Sequence, residues 1–196
     1  MIDKPRIKLS IQKASEIIQE LEIKSPPIVL KDILEHLKLI YNLDFNCCGL
    51  ELSNDFSGFY RNENGLIIIG YNNSHHEHKQ RFTVAHEFGH FILDHRIIMG
   101  ELTQRIRLNS KIKEEVEANA FASELLMPSH LIRKEIIQSK DDILRLANKY
   151  KVSKEAMEWR IFDDPFITGY RYDFVDRKQK DIEYLKDEGL IDWIQD

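Results

Sequence analysis

His86, Glu87 and His90 stand in the order H-E-x-x-H, the stretch of this chain most plainly arranged for chemistry. On a helix, positions four apart lie one turn apart on one face. Two imidazoles so placed can grip one metal ion together, and Glu87 beside them can take a proton from a water on that ion. A third protein ligand and one position left for solvent would complete a hydrolytic zinc site of the kind that cuts peptide bonds.

The residues around the motif predict a mostly buried helix over about 79–94. Phe82, Val84, Ala85, Phe88, Phe91, Ile92 and Leu93 cover most of its surface. Two histidines and a glutamate on such a helix need a partner, because an unpaired buried charge is very costly. Gly89 costs about 1 kcal/mol against alanine inside a helix, which predicts a close-packed neighbour using the missing side chain's space.

The third ligand must come from another element, and the segment Glu114 to Ala122 offers it. At about 100° per residue, Glu117 falls amid Val116, Ala120, Phe121 and Leu125, an awkward place for a carboxylate without a cation. Glu124 and Glu114 lie near the same side. The pattern ranks Glu117 first and leaves the other two open. Asp94 and Asn119 are candidates to orient a ligand imidazole, since metal-bound histidines usually donate their second N–H.

Several elements must position these groups. Ile11, Ala14, Ile17, Ile18 and Leu21 predict a first helix capped by Ser10 and stopped by Ser25-Pro26-Pro27. A second helix is expected from Val29 to Leu37 and a strand from Leu39 to Phe45. Phe56–Arg61 and Leu66–Tyr71 flank an Asn64-Gly65 hairpin signal. A polar loop and the metal helix follow. After a connector over 94–111, helices are expected at about 112–126, 130–138, 142–150 and 153–162. A peptide must be held extended for attack, and Leu66, Ile67, Ile68, Ile69, Gly70 and Tyr71 are the expected sheet edge to which it adds as a strand. The oxyanion-stabilising group is left open among Tyr60, Tyr71, His75, His76, His78, His95 and His130. The run His75-His76-Glu77-His78 reads as a solvated loop rather than a second metal site.

With 196 residues and 42% hydrophobic content the chain can bury a real core. A net charge of −5 at pH 7 implies no basic face, so nucleic acid is not the default partner. No apolar run approaches a membrane span, and residues 1–5 carry no signal-peptide core. Cys47 and Cys48 are adjacent and poorly placed to bridge each other. Together these predict a reducing, cytoplasmic setting.

Arg81-Phe82-Thr83-Val84-Ala85-His86-Glu87-Phe88-Gly89-His90, then Glu117-Ala118-Asn119-Ala120-Phe121-Ala122 and Leu125-Leu126-Met127-Pro128, resembles the ImmA/IrrE family of metallo-endopeptidases. The resemblance spans about residues 10–162. It implies an α+β, zincin-like metallopeptidase domain, mostly helical, with a short, mostly antiparallel sheet beside the active-site helix. That domain is expected at 1–165, followed by a tail at 166–196 of unassigned role. The resemblance places the third ligand on Glu117, 117 − 90 = 27 residues after His90. Zn2+ is the metal that two imidazoles and a carboxylate suit, and the resemblance leaves Mn2+ open. It also implies a protein substrate, a helix-turn-helix transcriptional repressor encoded nearby. Two other classes stay in play: a catalytically silent regulatory or toxin–antitoxin partner that retains a structural metal, and a DNA-binding regulator acting through the helical pair at 141–162.

Overall fold

The computed structural model describes residues 4–95, 104–138, 143–162 and 164. The expected tail at 166–196 and residues 96–103 of the expected connector lie outside these, while residues 104–111, expected as connector, form the start of a helix. Among the described residues the order is α1 (Ile7–Glu20), α2 (Leu30–Tyr41), β1 (Asp44–Leu50), β2 (Gly58–Glu63), β3 (Leu66–Asn72), α3 (Glu77–Ile92), α4 (Gln104–Leu126), α5 (Ser129–Gln138), α6 (Ile143–Tyr150) and α7 (Lys154–Phe162). It is an α+β fold, mostly helical, with one small sheet, as the sequence predicts.

α1 begins ahead of Ser10. Ser10 is buried within the helix and its hydroxyl donates back to the Arg6 carbonyl at 3.1 Å. The helix ends before the prolines, where Glu22 turns left-handed (φ 49°) and Ile23 N–H closes on the Ile18 carbonyl. α2 runs on through Leu39, Ile40 and Tyr41, which the apolar run predicts as strand, and stops at Asn42 in the left-handed conformation. Leu39 is 82% exposed. A short apolar run does not distinguish helix from strand by period alone, and here the stripe of Ile33 and Leu37 carries the helix past its last buried turn.

The sheet order is β1-β3-β2. β2 and β3 form the predicted hairpin around Asn64 (φ 53°) and Gly65 (φ 92°), the two positive-φ positions of a two-residue turn. β1 pairs with β3 in parallel, so the sheet is mixed. β3 is therefore central, and its burial on both faces follows from its run of Leu66-Ile67-Ile68-Ile69. Its main-chain groups are committed to two neighbours. The expectation that Leu66, Ile67, Ile68, Ile69, Gly70 and Tyr71 offer a free edge is overturned; the edges are β1 and β2.

α3 packs on β2 and β3, and α4 packs between α3 and α1. One core gathers Ile17 and Ile18 of α1, Ile67 and Ile69 of β3, Phe88 of α3, Phe121 and Leu125 of α4, and Leu146 and Met157 of α6 and α7. α3 and α4 approach tightly at Gly89: a Cβ there would lie 3.1 Å from Ala118 Cα and 3.2 Å from its carbonyl oxygen. The glycine answers the neighbour that its helix cost predicts. α7 closes the domain through Arg160, whose guanidinium is buried against Glu124, the Ser129 hydroxyl and the Met127 carbonyl.

Candidate metal centre

Helical spacing brings His86 and His90 onto one face of α3. Their Nε2 atoms are 2.9 Å apart and their rings meet edge-on. The close approach at Gly89 brings α4 alongside, and the residues of α4 that face the histidines are Glu115 and Asn119, one turn apart. Glu115 Oε2 lies 3.2 Å from His86 Nε2, and Oε1 lies 3.7 Å from His90 Nε2. Among the described residues these three form the one group able to hold a metal, with ligand atoms all within 4.8 Å of one another.

The donor set fits a divalent ion. Ligands of a four-coordinate zinc at about 2.1 Å stand roughly 3.4 Å from each other, and the two Glu115 distances bracket that value. The second nitrogen of each imidazole is already engaged. Asn119 Oδ1 sits 2.9 Å from His86 Nδ1, so the Nδ1–H donates and Nε2 keeps its lone pair for a metal. His95 occupies the equivalent place at His90, with the two Nδ1 atoms 2.9 Å apart.

Electrostatics suit the assignment. Burial, reinforced by the neighbouring His86, pushes the His90 imidazole well below its ordinary value, which favours the neutral form a metal needs. Burial also opposes charge on His86, but Glu115, Glu87 and Asn119 outweigh it and raise the group. Glu87 is only 8% exposed. Burial lifts its carboxyl to about 7, Glu115 adding to the rise and His86 opposing it. A base titrating near neutrality is matched to taking and returning a proton there.

Glu117, expected as the third ligand, is not beside the histidines. Two residues on a helix apart from Glu115, it points roughly 200° away, towards α1. There it is fully buried and held by Arg6: the backbone N–H donates to Oε1 at 2.8 Å, and Nε and Nη2 donate to Oε2 at 2.9 and 2.7 Å. His95 Nε2 lies 3.0 Å from the same oxygen. Burial works against the charge, but the Arg6 and His95 hydrogen bonds prevail and hold the carboxyl at about 2. The inference that a carboxylate at 117 needs a cation is right; the cation is a guanidinium.

The other two candidates also stay apart from the histidines. Glu124, one heptad on from Glu117, faces α1 as well and accepts from Ser15, Ser129 and Arg160. Glu114 is half-buried, and burial raises its carboxyl. Glu115 does not stand out in the apolar pattern because its side chain is 43% exposed. Its signal was nonetheless present: it stands four residues before Asn119, the residue already suited to orient an imidazole.

Of the oxyanion candidates, His95 is committed to His90 and Glu117. His76 caps α3, its Nδ1 accepting from the His78 N–H, while His75 Nε2 contacts the Asn54 carbonyl. Tyr71 lines an apolar pocket of about 260 Å³ with Leu34, Val84 and Phe88, and none of the three metal-facing residues lines it.

Residues 52–162 match the peptidase M78 family, described as the IrrE N-terminal-like domain. "Uncharacterized immunity region protein 2" of Bacillus phage phi105 is 32% identical over 90 residues, covering 46% of this chain and 56% of that protein. A solved structure, "Mycobacterium tuberculosis transcriptional regulator", shares the fold with a TM-score of 0.57 at 15% identity, over 80% of this chain and 47% of that one. The chain thus spans only about half the length of each. No helix among the described residues is long and apolar enough to cross a membrane. The match over residues 52–162 takes in every side chain of the His86–His90–Glu115 cluster, and the chain belongs to the M78 peptidase family.

Proposed function

We propose that this protein is a metal-dependent endopeptidase that cuts a helix-turn-helix transcriptional repressor. The observation that carries the reading is the convergence of His86, His90 and Glu115 beside a buried Glu87. A divalent ion held by these three residues, zinc by its preference for such donors and manganese as the alternative, supplies Lewis acidity that brings a water's pKa towards neutrality and polarises a carbonyl. Glu87 takes the proton of the attacking water and returns one to the departing amine. Asn119 holds His86 in the tautomer that leaves Nε2 free.

The peptide adds to the outer edge of β2, replacing the β3 edge that the topology removes. β2 lies along the metal helix: Thr83 packs at Gly58, and Phe91 meets Tyr60 edge-on at 5.9 Å. A strand laid there would run beside His86 and His90 with its carbonyls in extended, evenly spaced order.

A relative from a phage immunity region supports a target in gene control, and a reducing, cytoplasmic setting accords with the free Cys47 and Cys48. The peptidase unit is taken as residues 1–165. Direct DNA binding by the α6–α7 pair is the weaker reading. Arg160, the cation such a helix would present, is turned into the core, and Lys154 faces Glu158. A silent partner has no use for a buried glutamate poised near neutrality.

The test is incubation of the purified chain with the repressor encoded beside its gene. A discrete cut, stopped by chelator and restored by zinc or manganese, is the expected result. An intact repressor across both metals, while the chain binds metal stoichiometrically, would retire the endopeptidase reading.

A further inference from the structure

His90 sits at the buried end of a chain of contacts that begins at half-exposed Arg6, the residue that precedes α1. The Arg6 guanidinium and backbone N–H clamp Glu117, and Arg6 Nη2 also donates to the Leu93 carbonyl at 3.2 Å. The Glu117 carboxylate can only accept, so His95 Nε2 donates to it. In the neutral imidazole that leaves His95 Nδ1 as an acceptor, and the hydrogen between it and His90 Nδ1 belongs to His90. His90 Nε2 is then the nitrogen with a free lone pair, and it is the one facing His86 and Glu115. His95 and Glu117 side chains are 2% and 0% exposed, so water does not compete for the bond between them.

We infer that Arg6, Glu117 and His95 form a positioning relay that fixes the tautomer and ring orientation of His90, and that metal affinity depends through it on the docking of α1. The inference rests on the metal-site reading above. It gives a role to a carboxylate, an imidazole and a guanidinium that the hydrolytic chemistry itself does not use. It also explains why Glu117 is buried with a cation two residues from a ligand: the same helix turn supplies a metal ligand on one face and the anchor of its neighbour's support on the other.

Zinc affinity, measured by competition with a chromophoric chelator, tests the relay without reference to activity, and visible spectra of the cobalt-substituted protein read ligand geometry. The variants are His95→Leu, His95→Asn, Glu117→Gln and, as a control, Arg133→Met, which breaks the pair with buried Asp164 away from the centre. Support of this kind for a metal-bound histidine contributes about 10–100-fold in affinity. His95→Leu and Glu117→Gln should weaken zinc binding by that range and alter the cobalt bands. His95→Asn, whose amide oxygen can stand near the place of Nδ1, should recover much of the loss. Arg133→Met should lower the melting temperature and leave affinity within about twofold. Wild-type binding with His95→Leu equally tight would overturn the relay alone. A wild-type chain that takes up no zinc would sink the site and the relay together. Affinity falling in step with melting temperature across all four variants, control included, would reduce the chain of contacts to ordinary structural support.

Discussion

Replacing Glu87 with glutamine should abolish cleavage while leaving the metal in place. A positioned general base contributes about 10²–10⁴-fold, and glutamine keeps the shape of the side chain without its capacity to take a proton. The same substitution should stabilise the metal-free protein. Glu87 has a folded-state value of about 7 against an ordinary 4.5, because burial disfavours its charge. Between those two values the unfolded chain has released a proton that the folded chain still holds. Folding stability of the metal-free protein therefore falls as pH rises through that window and levels off above it. Glutamine removes the slope, a gain on the order of 3 kcal/mol above pH 7. Urea melts of the metal-free chain and its variant at pH 5 and pH 8, beside an activity assay, measure both effects. Equal stability differences at the two pH values would mean that Glu87 carries no buried charge, and undiminished cleavage would remove it from the mechanism.

The second large effect separates two glutamates that stand two residues apart. Glu115→Ala should reduce zinc affinity by more than the ~100-fold upper range associated with indirect support, because it removes a donor outright. It should change folding stability little: the side chain is 43% exposed, and alanine is the better helix former. Glu117→Gln should lose less affinity, within the ~10–100-fold of indirect support, and more folding stability. It removes the carboxylate charge that faces the Arg6 guanidinium and weakens up to four hydrogen bonds at buried Glu117, so the fold loses on the order of 1–3 kcal/mol. Calorimetric zinc titration and thermal melts of the two variants side by side provide the comparison. A reversal, with Glu117→Gln losing metal and Glu115→Ala losing only stability, would restore the ligand that the sequence pattern favours.

That contrast shows where sequence reasoning reached and where it stopped. The helix that carries His86, Glu87 and His90 is legible because H-E-x-x-H sits in an apolar surround whose period is helical. The hairpin is legible from Asn64-Gly65, and a close-packed neighbour, which proves to be α4, from the cost of Gly89. The carboxylate beside the two histidines is not, because burial points to Glu117 instead. Burial marks residues that the fold must satisfy, and Glu117 is satisfied by an arginine 111 positions away, a pairing no local pattern reveals. A ligand of a solvent-open metal must itself be partly open, so Glu115 looks like any surface glutamate until its register with Asn119 is considered. The order of the strands was hidden for a similar reason. β1 pairs with β3 in parallel across the β2 hairpin, and nothing in the residues of β3 states which of its flanks is occupied. The β-branched run hinted at it, since a strand apolar on both faces belongs in the middle of a sheet.

Everything rests on two imidazoles of α3 and the Glu115 carboxylate of α4 sharing one ion. Anomalous diffraction at the zinc edge from crystals of the zinc-loaded chain tests this most directly. A single peak with His86 Nε2, His90 Nε2 and a Glu115 oxygen at about 2.0–2.2 Å, and a fourth position open to solvent, is the predicted result. A zinc bonded to Glu117 with Glu115 turned away, or no peak between the two histidines, would contradict it.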